Sequence, residues 1–295
     1  MPLTATASIV DAAVRHHDTV VAMNVIQIEH GEGLVAAATR AGRALVMQIS
    51  ENCVRYHGGL EPIALACLAL ARSAAVPVAV HLDHAVSADL VDEAVEVGLR
   101  SVMFDASGLD YDDNVAATGD VARRCHARGV WVEAELGEVG GKDGVHAAGA
   151  RTDPDEAARF VATTGVDGLA VAVGSSHAMP TRETSLDLDL IGRLRDAVDV
   201  PLVLHGSSGV PDDELVRATG AGVVKINIAT HLNATFSGAV RAALDAEPAL
   251  TDSRRYLGPG RDALAAEAAR LLHVLGAVPA GHVGAGSGSG SGSGR

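Results

Sequence analysis

The sequence predicts an α/β fold of the (β/α)8 TIM-barrel class, and three observations predict it. Eight short apolar, β-branched runs recur along the chain, and helical segments with one apolar side separate them. Runs that are apolar throughout suit strands buried on both faces, as in a parallel sheet. No G-x-G-x-x-G follows the first run, where a doubly wound open sheet would ordinarily place it.

In chain order the strands are VVAMNV (20–25), ALVMQIS (44–50), VPVAVHLDH (76–84) and SVMFDAS (101–107), then VWVEAEL (130–136), GLAVAVG (168–174), VPLVLHGSS (200–208) and VVKINIAT (223–230). Between them, SADLVDEAVEVG (87–98) gathers Leu90, Val91, Ala94, Val95 and Val97 on one side and stops at Gly98. TDPDEAARFVATTG (152–165) offers Asp153 as N-cap, Pro154 at the first helical position and Gly165 as the stop. VPDDELVRATGAG (210–222) repeats the pattern. Eight such units over about 250 residues match a barrel. Residues 1–280 are read as one (β/α)8 domain, and 281–295, rich in Gly and Ser, as a flexible tail.

Composition narrows the function classes. The 295 residues are 48% hydrophobic and 20% charged, enough apolar content for a large core. No apolar run approaches the ~20 residues of a membrane span, and MPLTATASIV lacks the basic and apolar regions of a secretory signal, so a cytoplasmic protein without membrane partners is expected. A formal net charge of −14 would repel a phosphate backbone and argues against nucleic-acid binding. Cys53, Cys67 and Cys125 form no C-x-x-C pair and read as buried thiols in a reducing compartment.

Chemistry in such barrels lies at the C-terminal ends of the strands. Those ends hold Asn24; Gln48 and Ser50; His81, Asp83 and His84; Asp105; Glu133 and Glu135; Ser176 and His177; His205, Ser207 and Ser208; Asn227 and Thr230. So many converging polar groups would be costly to bury unless they bind something. His84, His177 and His205 follow the third, sixth and seventh strands, and three imidazoles with an open fourth position are a catalytic zinc arrangement. His81 is read instead as orienting a ligand or Asp83. His16, His17, His30, His57, His126, His146, His231 and His273 fall in helices or loops and are read as surface. HGSSG (205–209) and NIAT (227–230) follow the strands after which barrels often hold phosphate, and small residues let backbone N–H groups approach an anion.

Together AMNV, QIS, HLDHA, MFDAS, EAELGEVGG, GVDGLAVAVGSSH, VPLVLHGSSGVPDDEL, GVVKINIAT and DSRRYLGPGRDA, in this order from about residue 8 to 277, resemble the class II, zinc-dependent fructose/tagatose-bisphosphate aldolase family. The resemblance implies cleavage of a ketose 1,6-bisphosphate to dihydroxyacetone phosphate and an aldehyde such as glyceraldehyde 3-phosphate, or the reverse. It implies Zn2+ on His84, His177 and His205, Asp83 as the acid/base at the C4 hydroxyl, and Asn24 and Ser50 on substrate oxygens. Gly206, Ser208 and the turn Asn227, Ile228, Ala229, Thr230 would cradle the C1 phosphate. Arg254 and Arg261 would meet the distal phosphate, across a subunit interface in a homodimer or homotetramer. A monovalent cation, Na+ or K+, would sit near the phosphate. Schiff-base aldolases need a buried lysine of lowered pKa; the chain has only Lys142 and Lys225, and the metal-dependent family also has a lysine at the position of Lys225.

Two loops depart from the family pattern. GGKDGV (140–145) lacks the expected glutamate, with Asp143 and Glu138 as substitutes, and HAMPTR (177–182) puts Thr181 where a phosphate-facing lysine is usual, with Arg182 beside it. These departures motivate the alternatives: a specialised carbon–carbon lyase or synthase of secondary metabolism, an inositol- or sulfosugar-phosphate aldolase, or a non-catalytic sugar-phosphate-binding barrel.

Overall fold

Eight parallel strands pair in sequence order and close on themselves, first to last. The structure is a computed structural model that describes residues 2–137, 151–176 and 182–276. The strands are β1 (Val20–Asn24), β2 (Leu45–Ser50), β3 (Val78–Ala85), β4 (Ser101–Phe104), β5 (Trp131–Leu136), β6 (Gly168–Val171), β7 (Leu202–Leu204) and β8 (Val223–Ile228). The helices are α1 (Thr6–His16), α2 (Ile28–Ala41), α3 (Glu51–His57), α4 (Glu61–Ser73), α5 (Ala88–Val97) and α6 (Tyr111–His126), then α7 (Pro154–Thr164), α8 (Leu188–Ala197), α9 (Asp212–Ala221), α10 (Thr230–Ala246) and α11 (Ser253–Leu275). This is the expected (β/α)8 barrel.

The helix signals of α5 and α7 act as read, whereas α9 has Pro211 as its N-cap and no side-chain cap. Ser87 caps α5 by accepting from Leu90 N, and Gly98 ends it in the left-handed region. Asp153 accepts from two amides of α7, Pro154 opens the helix, and Gly165 closes it with φ 69°. Strand alternation then divides the core. Val21, Met23, Leu45, Met47, Val80 and Leu82 face outward and pack under the helices in the main apolar layer. Val20, Ala22, Val46, Ala79 and Trp131 face the lumen at its lower end, where Ile9, Val10 and Ala13 of α1 pack against them and plug it. Gly168 makes room for the indole, since a Cβ there would lie 2.7 Å from the Trp131 ring. Above this plug the lumen holds a small apolar cluster of Met103, Ala170 and Val203, and beside it polar groups.

Among the described residues no helix is long and apolar enough to cross a membrane. All three cysteines are buried and free, and burial pushes the Cys67 thiol up to about 12. His30 corrects the surface reading: it is buried, accepts from Ile26 N at 3.2 Å through Nδ1, and lies edge-on to Phe236. Its place between α2 and α10 reflects tertiary packing that helical spacing alone did not mark. His146 and residues 277–295, including the tail, lie outside the described residues.

Candidate active site

The polar strand ends converge at one mouth of the barrel. On β3, alternation would send neighbours Asp83 and His84 to opposite faces. The pairing of β3 with β4 shifts register between Leu82 and Ala85, and His84 adopts φ 52°. This irregularity lets one strand end deliver both side chains to the mouth. A non-glycine residue in that region is a strained choice, and such strain gathers at functional sites.

His84 and His205 meet there. His205 Nδ1 lies 3.0 Å from His84 Nε2, with the rings edge to face. Each ring has a carboxylate behind it. Asp105 Oδ2 is 2.9 Å from His84 Nδ1, and Glu133 Oε1 is 2.9 Å from His205 Nε2. Asp105 is held in turn by the Ser107 hydroxyl, which donates to Oδ1 at 2.6 Å. A carboxylate that takes the proton of one ring nitrogen leaves the other nitrogen as a lone pair. Two lone pairs turned on each other at 3.0 Å suit a cation between them. Glu135 Oε2 stands 3.6 Å from His205 Nδ1. Two ligand sets have atoms within 4.8 Å of one another among the described residues: Asp83, His84 and His205, and His84, Asp105 and Glu135. The donor chemistry therefore fits a divalent metal. The third expected ligand, His177, lies outside the described residues.

Asp83 is buried beside this pair. Asn24 Nδ2 donates to its Oδ2 at 3.3 Å, and Asn227 Nδ2 approaches its Oδ1 at 3.5 Å. Burial pushes the Asp83 carboxyl up, but the fields of His84, His205, His81 and Lys225 outweigh it and hold it below the usual carboxylate range. His81 sits lower in the lumen, with Nδ1 2.6 Å from Ser101 Oγ and its ring toward Trp131. Burial, then the nearby Lys225 charge, push the His81 imidazole down to about 3.

The loops after β7 and β8 are stitched together. Gly206 has φ 66°, and a Cβ on it would lie 2.6 to 2.8 Å from backbone atoms of Ser176. The Ser207 hydroxyl donates to Asn227 O, and Ala229 N donates to Ser208 Oγ at 3.4 Å. Ala229, the N-cap of α10, supplies no side-chain cap to that helix. Ile228 is the last residue of β8. Ser50 caps α3 through Cys53 N and pairs in register with Asp83.

Arg254 and Arg261 are on α11, and their ion pairs are with residues outside this cluster. Arg254 pairs with Asp252 and is largely exposed, while Arg261 pairs with Glu32 of α2 and with Asp262. Arg182 is bound to Val210 O and Asp212, so it anchors the loop after β7. The loop departures at 138–145 and 177–181 lie outside the described residues. Sequence reasoning noted Asp105, Glu133 and Glu135 at strand ends without giving them roles. The signal was present: Glu133 and Glu135 are two apart in an apolar strand, hence on one face.

Comparison with known proteins agrees with this geometry. Residues 4–279 match the sequence model of the family described as fructose-bisphosphate aldolase class-II. The chain is 38% identical over 270 residues to a fructose-bisphosphate aldolase of Geobacillus stearothermophilus, covering 90% of this chain and 94% of that protein. It is 34% identical over 310 residues to one of Giardia intestinalis, covering 96% and 95%. Among solved structures, the YdjI aldolase of Escherichia coli K12 superposes with a TM-score of 0.82 at 32% identity, covering 93% of this chain and 97% of that one.

Proposed function

The chain belongs to the class II fructose-bisphosphate aldolase family, and from that premise we propose how its mouth performs the reaction. The protein is a ketose-bisphosphate aldolase, a carbon–carbon lyase. Its substrate on our reading is fructose or tagatose 1,6-bisphosphate, cleaved to dihydroxyacetone phosphate and glyceraldehyde 3-phosphate. The observation that supports this most is the facing pair His84 and His205, each backed by a carboxylate, with Asp83 alongside.

His84 and His205, with His177, would hold Zn2+. That ion, when bound, supplies a Lewis acid for the ketone oxygen and for the charge that develops as C3–C4 breaks. Asp83 is ionised and takes the proton of the C4 hydroxyl as the aldehyde forms, while C3 gains a proton from an acid of the 138–145 loop, Glu138 or Asp143; the synthetic direction reverses both transfers. Asn24 and Asn227 hold the carboxylate by its two oxygens. Asn24 and Ser50 meet substrate oxygens. Gly206, Ser208 and the turn Asn227 to Thr230 hold the C1 phosphate with backbone donors, and the start of α10, whose N-cap Ala229 brings no capping side chain, supports that placement. Na+ or K+ is expected beside that phosphate. Arg254 and Arg261 reach the distal phosphate of a neighbouring subunit in a homodimer or homotetramer. The enzyme works in the cytoplasm on a small phosphorylated sugar.

The test is release of dihydroxyacetone phosphate from each bisphosphate, with chelator and with zinc restored. Chelator-sensitive release that zinc rescues is expected. Release that persists through complete metal removal would overturn the metal reading, and no release from either sugar by the zinc-loaded protein would overturn the substrate.

A further inference from the structure

Below the mouth, the lumen contains a cation that the proposed chemistry does not use. Lys225 on β8 is wholly buried, and its Nζ lies 2.8 Å from Glu133 Oε2 and 2.8 Å from Asn227 Oδ1. Glu133 is wholly buried too, and its two oxygens are divided. One faces Lys225 and the other faces His205 Nε2 at 2.9 Å. The ammonium is thus one residue removed from His205 through Glu133. Through Asn227 it is one residue removed from Asp83.

A buried ion pair is a poor source of stability, since apolar residues of similar volume often do as well or better in its place. The same lumen shows the apolar option in Met103, Ala170 and Val203. A lysine with two fixed partners also makes a poor Schiff-base nucleophile, because its amine would have to lose both. What the pair does supply is direction. A carboxylate free to turn about its last bond could present either oxygen to the imidazole at varied angles. With Oε2 held by Nζ, Oε1 is fixed on Nε2, and Nδ1 is left facing His84. Asn227 Nδ2 also lies 3.0 Å from His205 Nε2, a neighbour rather than a hydrogen-bond partner, since both nitrogens carry protons when Nε2 donates to Glu133. Its amide is oriented by the same lysine, which takes Oδ1 and turns the NH2 upward to Asp83.

We propose that Lys225 is a positioning residue for the metal centre, acting through Glu133 to fix the imidazole of His205 with Nδ1 toward the ion. The proposal rests on the reading of His84 and His205 as metal ligands.

The experiment strips the full-length protein of metal. It then measures zinc affinity by competition with a chromophoric chelator, and the visible spectrum after loading with Co2+. The variants are Lys225→Met, Glu133→Gln and the double substitution. Each single variant is expected to bind zinc about 10- to 100-fold more weakly, the range seen when the partner of a metal-binding histidine is lost. Each should also shift the Co2+ bands, which a merely structural role would not move. The double variant should bind about as weakly as the weaker single one. Folded Lys225→Met with unchanged zinc affinity and Co2+ spectrum would overturn the proposal, as would losses that multiply in the double variant. Glu133→Gln, which preserves volume, reads the same link if Lys225→Met does not fold, and its unchanged affinity would also overturn it. Failure of the unsubstituted protein to bind zinc would overturn the metal reading itself, a result visible before any variant is made.

Discussion

Gly206→Ala puts a methyl group where the chain has least room for one. Gly206 follows His205, has φ 66°, and faces the backbone of Ser176. An L-residue in the left-handed region costs about 1–2 kcal/mol. The added Cβ would lie 2.6 Å from Ser176 C, 2.7 Å from its O and 2.8 Å from its N. Those atoms belong to the backbone rather than to a flexible side chain, so the two loops must move apart, at about 1–3 kcal/mol for overpacking. Together these predict a loss of about 2–5 kcal/mol, a large share of the 5–15 kcal/mol typical of a folded protein. The moved loops are the ones proposed to hold the C1 phosphate, so KM should rise as well. Urea denaturation read at the midpoint, with KM for the bisphosphate measured on the folded protein, checks both. A variant with the midpoint and KM of the parent would refute the close approach of the β7 loop to Ser176, and with it the cradle built there.

Two further outcomes follow from the same geometry. Asp83→Ala should keep its zinc and lose turnover by ~10²-fold or more, the scale of a positioned acid or base; metal content and dihydroxyacetone phosphate release measured on one sample decide it, and near-normal turnover would remove Asp83 from the chemistry. His30 should make stability fall with acid: burial pushes its imidazole down to about 4 from the ordinary 6.5, so the folded chain holds it neutral where the unfolded chain protonates it. Its contribution is whole above about pH 6.5 and is lost as the pH falls toward 4, by about 3 kcal/mol at most. His30→Gln should flatten that slope in denaturation curves at pH 7.5 and 5, and parallel slopes would show that His30 stays accessible to protons when folded.

Much of the barrel was legible because the strands are largely apolar and several helices, α5 and α7 among them, are marked by their own caps. Asp153, Pro154 and Gly165 bound α7 where the sequence places them. Strand ends were overread: GLAVAVG extends to residue 174, yet β6 ends at Val171, since apolar residues continue inward past the last ladder bond. At the site, His84 and His205 were legible as strand-end imidazoles, and Asp83 as their neighbour. How adjacent residues 83 and 84 could share one mouth was not legible, because a register shift leaves no compositional mark. Nor were the pairings of Asp105 with His84 and of Glu133 with His205, which join residues 21 and 72 positions apart. His30 was misread for the same reason: what buries it is Phe236, far along the chain.

The chain contains a single tryptophan, and the plug at the lower end of the lumen is where it sits. Trp131 is packed against α1 and lies under the pocket made by Gly168, at the opposite end of the tube from His84 and His205. Its fluorescence is therefore a private gauge of whether the barrel is closed and stoppered. Light from that indole will change when the strands part or α1 leaves. It will stay nearly silent while sugar phosphates come and go at the far opening. For this enzyme, intrinsic emission is an optical clock for unfolding, and ligand occupancy must be read by another signal.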